Sequence, residues 1–277
     1  MLGAEQRNLS DLTLLISHDR SGSHYLGSYI RSLPQQTMTD EVCNVQALDP
    51  VQDPLSFFGF RHRRSLEDPD YSLRRTPAVV WKLLDEYFAF ALESSQSGGL
   101  TIDIKYGHIH NFEAAWWPIF RKPLLFEYAG SRKIKVIHLS RWNSLETVIS
   151  GDVAESRKVW HAVGSQKAAG PADAVDVNVK HLARQIQFLN EQKAAIFRWT
   201  KNLRCLPVLY EELVDPIHGR ASRERVAEFL GSPPPKEFSS PYRKVTPAIH
   251  LVIRNWDEVS AFCRENELSH YLLRMPR

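Results

Sequence analysis

The residues best suited to chemistry lie in two short stretches. In the first, the apolar run Leu12-Thr13-Leu14-Leu15-Ile16 is followed by His18-Asp19-Arg20-Ser21-Gly22-Ser23-His24-Tyr25, and an apolar helical pattern begins at once. A strand that enters a helix through so short a turn gathers backbone N–H groups and the positive end of the helix around an anion. Arg20 adds a planar fork that grips phosphate or sulfate bidentately, and Ser21 and Ser23 add hydroxyl donors. The turn has no G-x-x-x-x-G-K-[ST], which sets it apart from the ordinary nucleoside-triphosphate loop. In the second stretch, Lys133 to Ser150, a strand pattern ends at Arg141 and a helix follows with Ser150 about two turns in.

Arg20-Ser21-Gly22-Ser23 with Arg141 and Ser150 resembles the donor site of sulfotransferases that use 3′-phosphoadenosine-5′-phosphosulfate (PAPS). The chain is most similar to the bacterial nodulation-factor and related carbohydrate sulfotransferases. Four landmarks in the family's order carry the resemblance. They are the R-[ST]-G-[ST]-H-Y-L turn at Arg20–Leu26, the R-x-N-[ST]-L-E run at Arg141–Glu146, Tyr210-Glu211-Glu212-Leu213-Val214-Asp215-Pro216, and Arg254-Asn255-Trp256-Asp257-Glu258. The resemblance implies PAPS as sulfuryl donor, with Arg20, Ser21, Gly22, Ser23, His24 and Tyr25 at the 5′-phosphosulfate. It implies Arg141 and Ser150 at the 3′-phosphate, Tyr210 at the nucleotide, and Arg243 and Lys244 in a basic loop closing over it.

Sulfuryl transfer asks the protein mainly for positioning and charge stabilisation. A general base sharpens attack by an acceptor hydroxyl, typically by about two to four decades of rate. The family's G-E-[aliphatic]-x-N segment corresponds here to Asp40-Glu41-Val42-Cys43-Asn44, which makes Glu41 the first candidate base, with Asp40 in the place of the usual Gly. His108 and His110, just past a strand ending in Lys105, are the rivals, and Lys105 resembles a lysine that the family keeps at this strand end to contact the sulfuryl group or acceptor. If the chain stays extended past Lys105 both histidines share a face; if it turns, one reaches the pocket. The acceptor expected from the resemblance is a hydroxyl on a small-molecule natural product or glycan, or the nitrogen of an amine or carbamate. Ser56-Phe57-Phe58-Gly59-Phe60-Arg61-His62-Arg63-Arg64 suits stacking on an acidic ligand or a packed loop with a basic rim, and Trp116-Trp117 suits core. Arg157-Lys158-Val159-Trp160 falls where relatives face nucleotide or acceptor. A non-catalytic nucleotide or phosphoglycan binder would present the same turns, and a P-loop-like kinase would share the architecture while requiring the loop lysine.

The elements that must position these groups follow from patterning. Strands are expected at about 12–17, 100–106, 133–139 and 205–210, each feeding a helix or a loop that leads to one. Thr76 and Pro77 open a helix that Gly98-Gly99 ends, and another runs over about 177–200 with Val179, Leu182, Ile186, Leu189, Ala194 and Phe197 on or near its buried stripe. Ser144 suits a helix cap, and Ser222 to Leu230 reads as a short helix capped by Ser222 and stopped by Gly231 and Pro233-Pro234-Pro235. The alternation implies a three-layer α/β sandwich with a central, mainly parallel sheet and a P-loop-like strand–turn–helix for phosphosulfate, in one domain over 1–277. Segments 46–75 and 151–174 are expected to be irregular active-site covers. The 277 residues, 43% hydrophobic, suffice for a substantial core, and a net charge of +3 suits a pocket for a small polyanion better than nucleic acid. Cys43, Cys205 and Cys263 form no C-x-x-C pair, no metal-ligand spacing occurs and no run is long enough to span a membrane, so a soluble, cytoplasmic protein without a metal is expected.

Overall fold

A computed structural model describes residues 9–44, 53–73, 75–115, 117–118, 120–160, 162–163, 174–243 and 248–272. Its core is a sheet of five parallel strands: β1 (Leu12–Ser17), β2 (Gln36–Thr39), β3 (Gly99–Lys105), β4 (Lys135–Ser140) and β6 (Cys205–Leu209), in the spatial order β2-β3-β1-β4-β6. The short strands β5 (Ala162–Val163) and β7 (Tyr242–Arg243) pair antiparallel in a separate ribbon. Ten helices accompany them among the described residues: α1 (Ser23–Ser32), α2 (Phe57–Glu67), α3 (Asp70–Leu73), α4 (Pro77–Ser95), α5 (Leu124–Ser131), α6 (Ser144–Arg157), α7 (Val179–Thr200), α8 (Tyr210–Val214), α9 (Gly219–Leu230) and α10 (Trp256–Glu265).

The continuous apolar run of β1 suits a strand covered on both faces, as a parallel sheet requires. Leu12, Leu14 and Ile16 point into a core shared with Leu84, Tyr87 and Phe88 of α4 and Phe126 of α5, whereas Leu15 points the other way, against Leu26 and Ile30 of α1 and Val226 of α9. Each such side chain contributes about 1.5–3 kcal/mol by leaving water. A third cluster joins Leu145, Ile149 and Val153 of α6 to Leu182 and Ile186 of α7 and Val259 of α10. The three-layer α/β expectation therefore holds, and it places ligands outside the carboxyl ends of the strands. There β1 is flanked by β3 and β4, reached by connections running to opposite sides. The register sets Lys105 beside Ser17, with Leu139 on the other side.

Several local expectations need correction. Segment 46–75 is not irregular throughout where it is described, although Asp53 and Leu55 do line the cavity: Ser56 caps α2 by accepting the N–H of Gly59 at 3.3 Å, and the i, i+3 pair Phe57 and Phe60 buries itself in the core. Part of 151–174 is likewise helical, because α6 runs through Gly151 to Arg157; residues 161 and 164–173 lie outside the described residues. The cap of α6 is Asn143, whose side chain accepts the Glu146 N–H at 2.9 Å, and Ser144 takes another role. α9 begins at Gly219 rather than at Ser222, since Asp215 accepts the N–H groups of Ile217 and His218 and turns the chain early. On α7 the buried stripe passes through Ile196, leaving Ala194 and Phe197 exposed, while α4 stops at Ser95 with Gln96 in the left-handed region, ahead of Gly98-Gly99. As expected, Thr76 caps α4 and Pro77 opens it. Trp117 packs against the main core, whereas Trp116 lies outside the described residues.

Candidate functional site

The turn after β1 is built on two residues of positive φ, Arg20 at 62° and Gly22 at 93°. Gly22 is required there twice over. An L side chain is strained at that φ, and a Cβ would lie 2.1 Å from a ring carbon of Tyr210. The ring of Tyr210, at the end of β6, thus lies directly against the backbone at the start of α1. The Ser21 hydroxyl is buried without a hydrogen-bond partner among the described residues. Half-buried Arg20 donates from Nε to Ser150 Oγ at 3.2 Å and from one terminal nitrogen to the carbonyl of Trp160. Burial first, then the neighbouring Arg141 charge, pull the Arg20 pKa below its ordinary value.

The β4 end comes to the same place. Arg141, 7% exposed, donates to the carbonyl of Arg20 at 3.5 Å, pairs with Glu146 at 2.8 Å and stacks its guanidinium 4.9 Å from the Tyr210 ring centroid. Glu211 lies 3.7 Å from its Nε, which is left without a hydrogen bond among the described residues, and the same carboxylate accepts the N–H of Trp142 at 3.0 Å. Ser150, buried two turns into α6, meets Arg20 rather than Arg141.

The ends of β3 and β1 form a third group. The Lys105 ammonium, 3% exposed, donates to Asp103 and to Ser23 Oγ, each at 2.7 Å, and to Ser17 Oγ at 3.2 Å; Glu41 lies 3.5 Å away. Burial alone would favour the neutral amine, but Asp103 and Glu41 outweigh it and the Lys105 pKa is raised. Burial raises the Glu41 carboxyl above the usual carboxylate range against the pull of Lys105, and Asn44 steadies its other oxygen at 3.0 Å. Past Lys105 the chain turns into a 3-10 helix, Tyr106–Phe112, with His108 half-buried and His110 exposed, and both still line the cleft. The Nδ1 of His108 is buried without a partner among the described residues, and burial lowers its pKa. His24 packs on the Tyr242 ring at 5.3 Å and is likewise lowered by burial.

One cavity of about 1760 Å³ joins these groups. Arg20, Gly22, Ser23, His24, Tyr25, Glu41, Lys105, His108, His110, Arg141, Ser150 and Tyr210 all line it. Ser21 is adjacent in the turn but does not line it. Of the expected basic loop, Lys244 lies outside the described residues, as does the Arg243 side chain, so that loop is not placed here. Among the aromatic candidates, Trp160 lines the cavity together with Phe188, whereas Phe57 and Phe60 belong to the core. Reading the sequence missed Asp103 and Glu211, the carboxylates that hold Lys105 and the Arg141 loop. Asp103 in the otherwise apolar strand pattern of β3 was the available signal.

No family model matches the chain, and no curated protein matches it. A solved structure of shikimate kinase from Bacteroides thetaiotaomicron aligns with a TM-score of 0.38 at 12% identity, over 79% of this chain and 98% of that one. Among the described residues no helix is long and apolar enough to cross a membrane, and Cys43, Cys205 and Cys263 are free thiols.

Proposed function

We propose that this protein transfers a sulfuryl group from PAPS to a hydroxyl of a small-molecule natural product or glycan. The supporting observation is the meeting of two strand-end arginines in one cleft, with Arg20 3.2 Å from Ser150 and Arg141 3.5 Å from the Arg20 carbonyl. Two guanidiniums, the amides at the start of α1 and two serine hydroxyls suit a ligand with anionic groups at two ends. The donor set fits such a nucleotide. The Gly22 cradle lets the backbone come close, and Ser21 Oγ and Arg141 Nε are buried donors near it that make no hydrogen bond among the described residues, Nε facing the Glu211 carboxylate at 3.7 Å.

In this reading Arg20, Ser23 and the α1 amides hold the phosphosulfate. Lys105, donating to Ser23, carries positive charge to the place where charge grows on the bridging oxygen. Glu41 accepts the acceptor's proton as its oxygen attacks sulfur. The sulfur–oxygen bond to the nucleotide breaks, and its electron pair leaves with the 5′-phosphate. Glu41 is preferred over His108 because it touches the lysine that reaches the donor turn, and burial keeps its carboxyl basic for its type. The Trp160 and Phe188 rings, 45% and 60% exposed, leave apolar surface for the acceptor.

Calorimetry with adenosine 3′,5′-bisphosphate and transfer from labelled PAPS across a panel of hydroxyl and amine acceptors test the reading. Micromolar binding with turnover is expected. Binding without turnover on any acceptor would leave a nucleotide binder, and absence of binding would remove the donor assignment.

A further inference from the structure

A half-buried cation outside the cleft lining touches the backbone that presents Arg141. Lys193, on α7, donates from Nζ to the carbonyl of Arg141 at 2.6 Å and to Ser144 Oγ at 2.7 Å. Ser144 passes its own proton to Asn190 Oδ1 at 2.6 Å, and Asn190 donates to the Tyr271 hydroxyl at 3.0 Å. From the other side Asn143 donates to the Tyr271 carbonyl at 2.8 Å. The β4–α6 turn is therefore clamped between α7 and the 3-10 helix Ser269–Leu272, and the contact on Arg141 itself is the lysine. The Lys193 ammonium is held here although the nearby Arg141 charge repels it.

We propose that Lys193 is a positioning residue of the anion site: it fixes the strand-end backbone from which Arg141 reaches the cleft and lends that site a positive charge. The inference rests on the donor reading above and goes beyond it, since Lys193 belongs to none of the motifs that suggested that reading. The charged and titratable groups around Lys193 are Arg141 in the turn, Glu211 on α8, His138 on β4 and His18 in the donor turn. Burial pushes the Lys193 ammonium down to about 8, with Glu211 opposing and Arg141 adding to the shift. Burial lowers both histidines, and the Lys193 charge lowers each further, so they are neutral well below that pH. A phosphate monoester has its second pKa at about 6, so its second ionisation is nearly complete by pH 7. Between pH 7 and 9.5 the affinity for a bisphosphate therefore reports on Lys193 rather than on these histidines or the ligand.

The experiment is calorimetry of adenosine 3′,5′-bisphosphate binding from pH 7 to 9.5 with the full chain, Lys193→Met and Lys193→Arg. Wild-type affinity should fall roughly tenfold as Lys193 loses its proton. Lys193→Met should bind roughly tenfold more weakly at pH 7, as expected for removing one unit charge from a partly buried anion site, with no further fall. Lys193→Arg, charged throughout, should recover affinity and show no fall. A folded Lys193→Met with wild-type affinity and slope would overturn the inference while leaving the donor reading intact. A wild-type protein that binds no bisphosphate would end both. Should Lys193→Met not fold, reductive ¹³C-methylation of the wild-type lysines gives the second measurement. The Lys193 signal should titrate near 8 in the free protein and move upward when the bisphosphate binds; an unmoved signal overturns the inference.

Discussion

The Nε of Arg20 donates to the hydroxyl of Ser150 at 3.2 Å, joining the turn after β1 to the second turn of α6 across 130 positions of sequence. Neither group lies on a neighbouring element by accident of chain order. β1 and β4 are adjacent parallel strands, so their carboxyl ends bring both following turns to one edge of the sheet. The same adjacency sets Arg141 against the Arg20 backbone. A bound anion would compete with Ser150 and with the Trp160 carbonyl for the guanidinium of Arg20.

Replacing Arg20 by Ala should therefore remove activity without removing the fold. Arg20 already occupies the left-handed region, so alanine inherits the same backbone cost rather than adding to it. Loss of one preorganised donor to a developing anion costs about 10²–10³ in rate. Turnover of labelled PAPS should drop by at least that factor, with a melting temperature within a few degrees of wild type. A variant retaining full turnover would show that Arg20 serves the turn alone.

Glu41 and His108 can be separated by their pH profiles. Because burial raises the Glu41 carboxyl, the rising acid limb of the rate should lie above the usual carboxylate range. Protonation on the acid side switches the base off, and activity returns as the carboxyl ionises. Glu41→Gln should abolish that limb and slow turnover by about 10²–10⁴, while His108→Asn leaves it in place. The opposite pattern would make His108 the base, with its own limb displaced below the ordinary histidine value.

Gly22→Ala tests the donor turn through stability. The positive φ costs an L residue about 1–2 kcal/mol, and the added methyl must also displace the Tyr210 ring, which would stand 2.1 Å away. A loss of at least that size is expected in urea unfolding, together with weaker bisphosphate binding. A loss limited to about 1–2 kcal/mol would mean that Tyr210 swings aside freely, and wild-type stability would mean that neither the positive φ nor the ring constrains the turn.

These residues also show what the sequence could and could not reveal. The strand–turn–helix around Arg20 was legible because its parts are consecutive: an apolar strand, Arg20, Gly22 and a helix form one local signal. The pairing of Arg20 with Ser150 was not, since it depends on strand order, which local patterning does not encode. Within α2 the abundance of Arg and His concealed a helix whose buried edge consists of Phe57 and Phe60, and Pro and Asp just before it suggested a loop. The strand β2, with only Met38 fully buried, was too short and too polar to register as alternation. On α7 the stripe fell one position from the expected Phe197 because, at 3.6 residues per turn, two turns beyond Leu189 lie between Ile196 and Phe197.

Lys105 and Asp103 form an internal ion pair at 2.7 Å, both nearly inaccessible to solvent. Removing one partner strands the other, at a cost of about 3–5 kcal/mol, while removing both can be close to neutral. Lys105→Met should accordingly destabilise strongly in urea unfolding, and Lys105→Met with Asp103→Leu should recover much of that loss without recovering activity. If the double variant is no more stable than the single one, the pair is not what makes the single change costly.

His138, on β4 between β1 and β6, has the Tyr106 hydroxyl 2.6 Å from its Nε2, and burial pulls its pKa down to about 4. Protonation would place a charge in a buried site, where the neutral ring already pairs with the Tyr106 hydroxyl. The folded value lies below the unfolded value of about 6.5, which fixes the sign. Above about 6.5 both states hold the ring neutral and its contribution is intact. As pH falls from there towards 4 the unfolded chain takes up a proton that the native protein refuses, and stability drops. A gap of that size corresponds to about 3 kcal/mol at full extent. His138→Gln, whose amide oxygen can still accept from Tyr106, lacks the titration. Urea unfolding of both proteins at pH 7.5, 5.5 and 4.5 should show the wild type losing more stability than the variant, with the difference opening below about pH 6.5. Parallel losses would mean that His138 is not the group that takes up the destabilising proton.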